Sequence, residues 1–552
     1  MIIWVENIYL FMRRFIMILE LVLFTTLVSA QSEGTESTSS NTSLQRPKLV
    51  IGIVVDQMRW DYLYRYYDRY APDGGFKRLL NGGFSCENTM IPYTPTITAC
   101  GHASIYTGSV PAINGITGND WFDYNKGGLL YCTQDDGEKT TGSNTAEAGQ
   151  MSPRNLLVTT ITDELRLATN FRGKVIGLAI KDRSAILPAG HSANAAYWYD
   201  HDTGKWITST YYKDELPGWV KDFNSQKLAD KYYALDWNTM YPLDSYTQSA
   251  PPARAFPHNL KQYTGKNYQV ISATPYGNSF TIEMAKAAIA GEQLGADSIT
   301  DMLTISLSSP DYIGHAYGPN SVEEEDCFLR LDKDLGEILD LLDKQIGKGA
   351  YMIFLTADHG VANVPAFLNE HKIPAGNFDN EQVTAGLNQL LNNKFKAEDL
   401  VTGILNYQVY LNRNAIAENK INKDLLYATV INYLLTDTSV ERAFALDAIY
   451  QTTINATIKE AFINGYYPSR SGDIQIILKP QYIDGFVKGG TTHGVWNPYD
   501  AHIPLIWFGW NISPGKTNKE VYITDIAPTV AALLKIQMPS GCIGHVIEGV
   551  VK

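Results

Sequence analysis

Cysteine is scarce in this chain. Only Cys86, Cys100, Cys132, Cys327 and Cys542 occur among 552 residues, and no two of them are spaced C-x-x-C. That excludes the usual thiolate zinc and dithiol redox motifs, and the odd count leaves at least one thiol unpaired even if one or two disulfides form. We read these cysteines as structural. Basic residues are in deficit, with 45 Lys and Arg against 58 Asp and Glu, a formal charge of -13 and a pI near 5.3. Such a surface gains little from counterion release, so nucleic acid is not an expected partner and any phosphate must be met by local cations. Internal repeats are absent, and beyond residue 30 nothing reads as a membrane span.

Residues 1-30 differ from the rest. Arg13 and Arg14 precede the apolar stretch FIMILELVLFTTLVSA, which closes on Val28-Ser29-Ala30, a small-x-small cleavage pattern. Glu20 interrupts the run, which is short for a bilayer span, so we expect a cleaved signal peptide and a periplasmic or otherwise exported product without stable membrane insertion. Residues 31-47 are Ser/Thr-rich and too poor in apolar groups to fold alone, and they read as a polar linker.

From Lys48 onward, apolar runs alternate with amphipathic stretches, the pattern of an α/β fold with a mostly parallel central sheet between helices. Strands are expected at 48-55, 174-180, 302-308, 350-356 and 503-509. Helices are expected at 321-346, opening on Ser321 and closing at Gly347, and at 524-536 from a Thr/Asp cap. Two stretches with a different texture, about 184-280 and 362-480, read as insertions or a cap over the strand tips.

Chemistry-bearing residues gather behind the apolar runs. Asp56 ends LVIGIVVD, Asp311 and His315 follow MLTISLSSP, Asp358 and His359 end YMIFLTADH, and His493 sits in GGTTHGVWN. Side chains at the carboxyl tips of parallel strands point into the crevice where open α/β sheets bind ligands. Three aspartates and three histidines are enough for two zinc ions that each keep a position open, and imidazole-rich ligation favours zinc over magnesium or calcium. Two such ions with three carboxylates leave a slightly cationic pocket suited to an anion.

The segment YTPTITACGH places small residues after Thr98, so its hydroxyl is expected at a helix N-terminus, where a phosphate is favoured. Thr98 is the candidate nucleophile; Thr96, Cys100 and His102 are neighbouring competitors. Lys181 and Arg183, in LAIKDRSAILPAGH, lie two apart at the end of an expected strand, which would put both on one side facing a phosphoryl group. A solvated turn around Asp182 is the plain alternative. Asn119, in GITGNDW, is either a turn residue or a further phosphate donor.

With those segments in order, the chain resembles the alkaline phosphatase superfamily, and closely its PafA-type branch. The resemblance rests on VVDQMRWDYLYRYY, PTITACGHASIYTGSVPAINGITGNDW, KDRSAILPAGH, DYIGHAYGPNS, TADHG and GTTHGVWNPYDAHIPL, and it runs from about Lys48 to the C-terminus. It implies an alkaline-phosphatase-like three-layer sandwich over 48-552, with Asp311, His315 and His493 on one zinc and Asp56, Asp358, His359 and Thr98 on the other. It also implies Thr98 as the nucleophile that forms a phosphothreonine, with Asn119, Lys181 and Arg183 on the phosphate. The implied activity is hydrolysis of small-molecule phosphate monoesters; a monomer is expected. The alternative within the superfamily is a nucleotide pyrophosphatase or phosphodiesterase. Cys100 and Asn363 depart from the branch without touching an implied ligand. A sulfatase is disfavoured by the lack of C/S-x-P-x-R, and a non-catalytic receptor by the intact ligand set.

Overall fold

The computed structural model describes residues 44-250, 256-485 and 490-551. The chain divides into Met1–Arg46 and Pro47–Lys552. The expected signal peptide and nearly all of the expected linker lie outside the described residues.

Strand β1, Leu49–Val55, is a run of apolar, mostly β-branched residues and a glycine, buried along its whole length. A strand without polar alternation must be covered on both faces, which is the environment of a parallel sheet. The structure supplies it with β2 (Val175–Ala179), β3 (Ala195–Asp200), β4 (Asp301–Leu307), β5 (Tyr351–Thr356) and β6 (Leu505–Gly509). Their order is β6-β5-β1-β4-β2-β3 within a sheet of ten strands among the described residues. β1 pairs in parallel with both β4 and β5, β4 with β2, and β2 with β3, whereas β6 runs antiparallel to β5. The expected α/β class with a mostly parallel sheet is thus the observed one.

Register positions the site. Val54 lies opposite both Ser306 and Thr356, so the three central strands end level. The residues that follow, Asp56, the segment up to Asp311, and Asp358, therefore emerge on one edge of the sheet. Helices α1 (Thr98–Thr107), α2 (Asp182–Ala189), α3 (Ser309–Tyr317) and α4 (Val322–Leu342) bring the remaining functional side chains there. As expected, Ser321 caps α4, accepting from Glu324 N–H at 3.1 Å. The last expected helix begins later, at Ile526, after a short 3₁₀ turn over Ile523–Asp525.

The stretch 184-280 is not wholly apart from the sheet, because β3 and the adjoining antiparallel strand Lys205–Ser209 belong to it. The aromatic-rich sequence of β3, AAYWYD, is buried along its whole length, which hides the alternation that would mark a strand. Within 362-480 a separate four-stranded sheet, Val401–Leu405, Gln408–Leu411, Ile474–Leu478 and Val440–Ala445, packs on helices Asn380–Phe395 and Lys423–Leu434 around its own apolar core. Among the described residues no helix is long and apolar enough to cross a membrane. All five cysteines are free thiols, and four are buried.

Candidate metal centre and active site

Two groups of metal-competent side chains form at the sheet edge. Asp311, His315 and His493 make one and Asp56, Asp358 and His359 the other, each with ligand atoms within 4.8 Å of one another. In the first, Asp311 Oδ1 is 3.2 Å from His315 Nε2 and 3.6 Å from His493 Nε2. In the second, His359 Nε2 is 3.6 Å from Asp56 Oδ1 and 3.5 Å from Asp358 Oδ2. The groups adjoin, since the His359 and His493 rings stack with centroids 3.6 Å apart.

The histidine tautomers suit cation binding. His315, His359 and His493 each place Nδ1 at 2.8-2.9 Å from a backbone carbonyl, of Thr491, Gly360 and Thr96 respectively. An Nδ1–H committed to a carbonyl leaves Nε2 as a lone pair, and in all three that atom faces the carboxylates. Asp56 Oδ1 is buried with no hydrogen-bond partner. Asp358 Oδ2 is likewise buried without a hydrogen-bond partner; its neighbours are His359 Nε2 at 3.5 Å and His102 Nδ1 at 3.2 Å, the latter a nitrogen already paired with Thr98 O at 2.9 Å. Imidazole lone pairs converging with buried carboxylate oxygens fit divalent cations, and the mixed imidazole and carboxylate set fits zinc.

Titration shifts have the same origin. Burial and the neighbouring Asp358 push Asp56 well above the usual carboxylate range. For Asp311 burial acts upward but is outweighed by Lys181 and His315, which hold it well below that range. Burial, with His359 and His315 nearby, depresses His493 well below its ordinary value, and burial likewise lowers His359. Both imidazoles are thereby kept neutral, the form a metal requires.

Thr98 is the first residue of α1, as expected, and its Oγ1 is 3.5 Å from His359 Nε2. The hydroxyl thus faces the Asp56, Asp358 and His359 group from a helix N-terminus. Gly101, one turn on, lets α1 lie against β5's end, because a methyl group there would meet the backbone carbonyl of Asp358. The competitors have other duties. Thr96 Oγ1 donates to Val495 O at 2.8 Å, buried Cys100 Sγ to Ile116 O at 3.1 Å, and His102 pairs with Thr98 O and Ser306 Oγ.

Lys181 and Arg183 require a correction. They do not alternate along a strand: β2 ends at Ala179, Lys181 is the N-cap of α2, and Arg183 lies in the helix's first turn. Asp182, the acid that opens the helix, was the signal. Lys181 Nζ sits 2.6 Å from both Asp56 Oδ2 and Asp311 Oδ2, a buried cation between the two groups. Arg183 Nη1 donates instead to Tyr131 OH at 3.0 Å. Asn119 Oδ1 accepts from Ala99 N–H at 3.0 Å, at the start of α1, which turns its amide nitrogen away from the helix.

Sequence reasoning missed three supports. Gln57 adopts a left-handed backbone, φ 66°, donates from Nε2 to Asp311 Oδ1 at 2.6 Å and from its backbone N–H to Asp358 Oδ1 at 3.1 Å. Asp500 Oδ2 accepts from Gly494 and Val495 N–H at 2.8 and 2.9 Å, and Thr96 Oγ1 lies 3.4 Å away, so it clips the His493 loop to the segment before Thr98. Tyr131 joins Arg183 to Asp182. An amide, an acid and a phenol with no ligand spacing leave no mark in a motif; only their proximity to ligands in space does.

Known proteins share this arrangement of sequence. Residues 50-496 match the family model of type I phosphodiesterases and nucleotide pyrophosphatases. The alkaline phosphatase PhoV of Synechococcus elongatus is 53% identical over 96% of this chain and 98% of its own. A Myroides odoratus protein named calcium-transporting ATPase is 51% identical over 92% and 95%, and the alkaline phosphatase PafA of Elizabethkingia meningoseptica 48% over 95% and 98%. The crystal structure of PafA superposes with a TM-score of 0.89, covering 92% of this chain and all of that one. A second structure, with a TM-score of 0.90, is of a PafA variant with one threonine changed to serine and an asparagine, a lysine and an arginine changed to alanine. The chain belongs to the type I phosphodiesterase and nucleotide pyrophosphatase family of the alkaline phosphatase superfamily, as an enzyme of its PafA-like alkaline phosphatase group.

Proposed function

We propose that residues 48-552 form the catalytic domain of an exported, monomeric, zinc-dependent phosphate monoesterase that works through a covalent phosphothreonine. The observation that carries this is Thr98 Oγ1, presented by a helix N-terminus within 3.5 Å of His359 in front of one metal-competent group, with the second group adjoining. Asp311, His315 and His493 would hold one zinc, and Asp56, Asp358, His359 and Thr98 the other. Bound zinc ions supply charge stabilisation for the attacking and leaving oxygens of an in-line displacement.

The side chains account for the rest. Thr98 Oγ1 gives up its proton and bonds to phosphorus as the bond to the alcohol oxygen breaks and the alcohol leaves with a proton; water then attacks phosphorus, the Thr98 oxygen–phosphorus bond breaks, and a proton from that water restores the Thr98 hydroxyl as inorganic phosphate leaves. Lys181, Arg183 and Asn119 meet the non-bridging oxygens, and two fixed cations favour a monoester dianion over a singly charged diester. Support comes from the four substituted residues of the PafA variant, whose types and sequence separations match Thr98, Asn119, Lys181 and Arg183.

Thr98→Ala should abolish hydrolysis of nitrophenyl phosphate, on the order of 10⁴-fold or more, while inorganic phosphate still binds. Surviving turnover would exclude Thr98 as nucleophile. The second reading, nucleotide pyrophosphatase or phosphodiesterase, draws on the matching family model. It predicts that bis-nitrophenyl phosphate is cleaved better than the monoester, whereas the buried Lys181 and the neighbouring Arg183 favour the reverse.

A further inference from the structure

We propose that Tyr131 is a positioning residue that fixes the Arg183 guanidinium for the phosphoryl group, on a hairpin that sets Asn119 at the same time. The proposal rests on the reading above, in which Arg183 and Asn119 meet the phosphoryl oxygens.

The hairpin consists of strands Asp120–Asp123 and Gly128–Tyr131. Asp120 lies opposite Tyr131, and Cys132 N–H donates to Asn119 O at 2.8 Å, which closes its open end. Asn119 and Tyr131 are therefore held by one ladder, and a shift of either strand moves both. From this frame the Tyr131 phenol makes two bonds of defined polarity. It accepts from Arg183 Nη1 at 3.0 Å and donates to Asp182 Oδ1 at 2.7 Å, while Thr133 Oγ1 donates to the other Asp182 oxygen at 2.7 Å. Burial raises the phenol well above its ordinary pKa, so the proton it gives Asp182 is retained.

Two features separate this from incidental packing. The bond to Tyr131 is the only hydrogen bond of the Arg183 guanidinium among the described residues, and Arg183 Nε is buried without a partner. The phenol is thus the guanidinium's anchor, and its remaining N–H groups are uncommitted. Moreover, no ion pair joins Arg183 to Asp182 among the described residues, although they are adjacent in sequence. A neutral phenol carries orientation from the carboxylate to the guanidinium without a direct ion pair that would quench the cation. The far end of the hairpin is tethered too: Tyr124 OH donates to Asp473 Oδ2 at 3.0 Å, and the Arg413 guanidinium lies 3.5 Å over the Tyr124 ring.

The test is a double-mutant cycle on the metal-loaded, full-length enzyme. Tyr131→Phe keeps the ring and removes only the hydroxyl. It should lower kcat/KM for nitrophenyl phosphate about 10- to 100-fold, the scale of a misaligned catalytic group, with metal content and melting temperature unchanged. In an Arg183→Ala background the same change should cost less than about twofold, because its route is gone. Asp182→Asn, which weakens the phenol's orientation, should show a smaller loss that also vanishes in Arg183→Ala. A full Tyr131→Phe penalty in the Arg183→Ala background, or no penalty while Arg183→Ala alone is damaging, overturns the proposal and leaves the functional reading standing. If Arg183→Ala itself leaves monoester hydrolysis intact, the reading of Arg183 falls and the proposal with it.

Discussion

Replacing Lys181 with methionine should weaken the metal-free protein and tighten its hold on metal. Lys181 Nζ is 2.6 Å from carboxylate oxygens of Asp56 and Asp311, and the three side chains are 2%, 0% and 5% exposed, so water screens none of these contacts. Removing one partner of a buried ion pair costs about 3-5 kcal/mol, because the charge left behind is uncompensated. Here Asp56 and Asp311 would both lose the cation between them. When divalent cations occupy the groups they supply the missing charge, and the loss should shrink to about 1 kcal/mol. Linkage then requires the difference, about 2-4 kcal/mol, to appear as metal binding that is tighter by roughly 30- to 700-fold, taken as the product over the two sites. Denaturant unfolding of wild type and Lys181→Met, in chelator and in saturating zinc, measures both losses, and chelator competition measures affinity directly. Equal losses in the two conditions, or weaker metal binding by the variant, would refute the reasoning. On the proposed reading activity should fall regardless, since Lys181 is there a cation for the phosphoryl group.

Elemental analysis of His493→Ala and of His359→Ala should each find about one bound metal equivalent against an expected two in the wild type, because the two groups share no ligand. Gly101→Ala should cost about 1-3 kcal/mol and reduce turnover at least about tenfold, since the rigid carbonyl of Asp358 cannot yield to a methyl group and α1 must move; circular dichroism melts and steady-state rates would show it. Asp500→Ala strands the Gly494 and Val495 N–H groups, at about 1-3 kcal/mol each, and should lower the melting temperature together with metal content. For Asp163, burial acts upward, but hydrogen bonds from His191, Thr160 and Ser192 hold it at about 2 against an ordinary 3.8. A carboxyl depressed by folding stabilises above its unfolded pKa, so about 2 kcal/mol present above pH 4 is lost as pH falls toward 2. Asp163→Asn should therefore flatten the stability profile on the acid side, and parallel profiles for variant and wild type would contradict this.

What could be read along the chain was whatever leaves a local pattern. Unbroken apolar runs announced the strands, because a strand covered on both faces has no use for polar alternation, and the acids and imidazoles just past them were conspicuous against that background. Thr98 was legible for a similar reason, as the small residues after it mark a helix start. Lys181 and Arg183 were found but misplaced, since period-two spacing holds only while the chain stays extended and Asp182 had already opened a helix.

Amino-acid order alone determined which residue types stand at the strand ends and hence that a metal-dependent hydrolase was in view. Tertiary structure decided how they act together: that β1, β4 and β5 finish level, that Lys181 lies between Asp56 and Asp311, that three Nδ1 atoms find backbone carbonyls, and that Tyr131 anchors Arg183. Each of these joins segments remote in sequence, and such contacts depend on strand register and helix packing, quantities set by the whole core rather than by any local run of side chains.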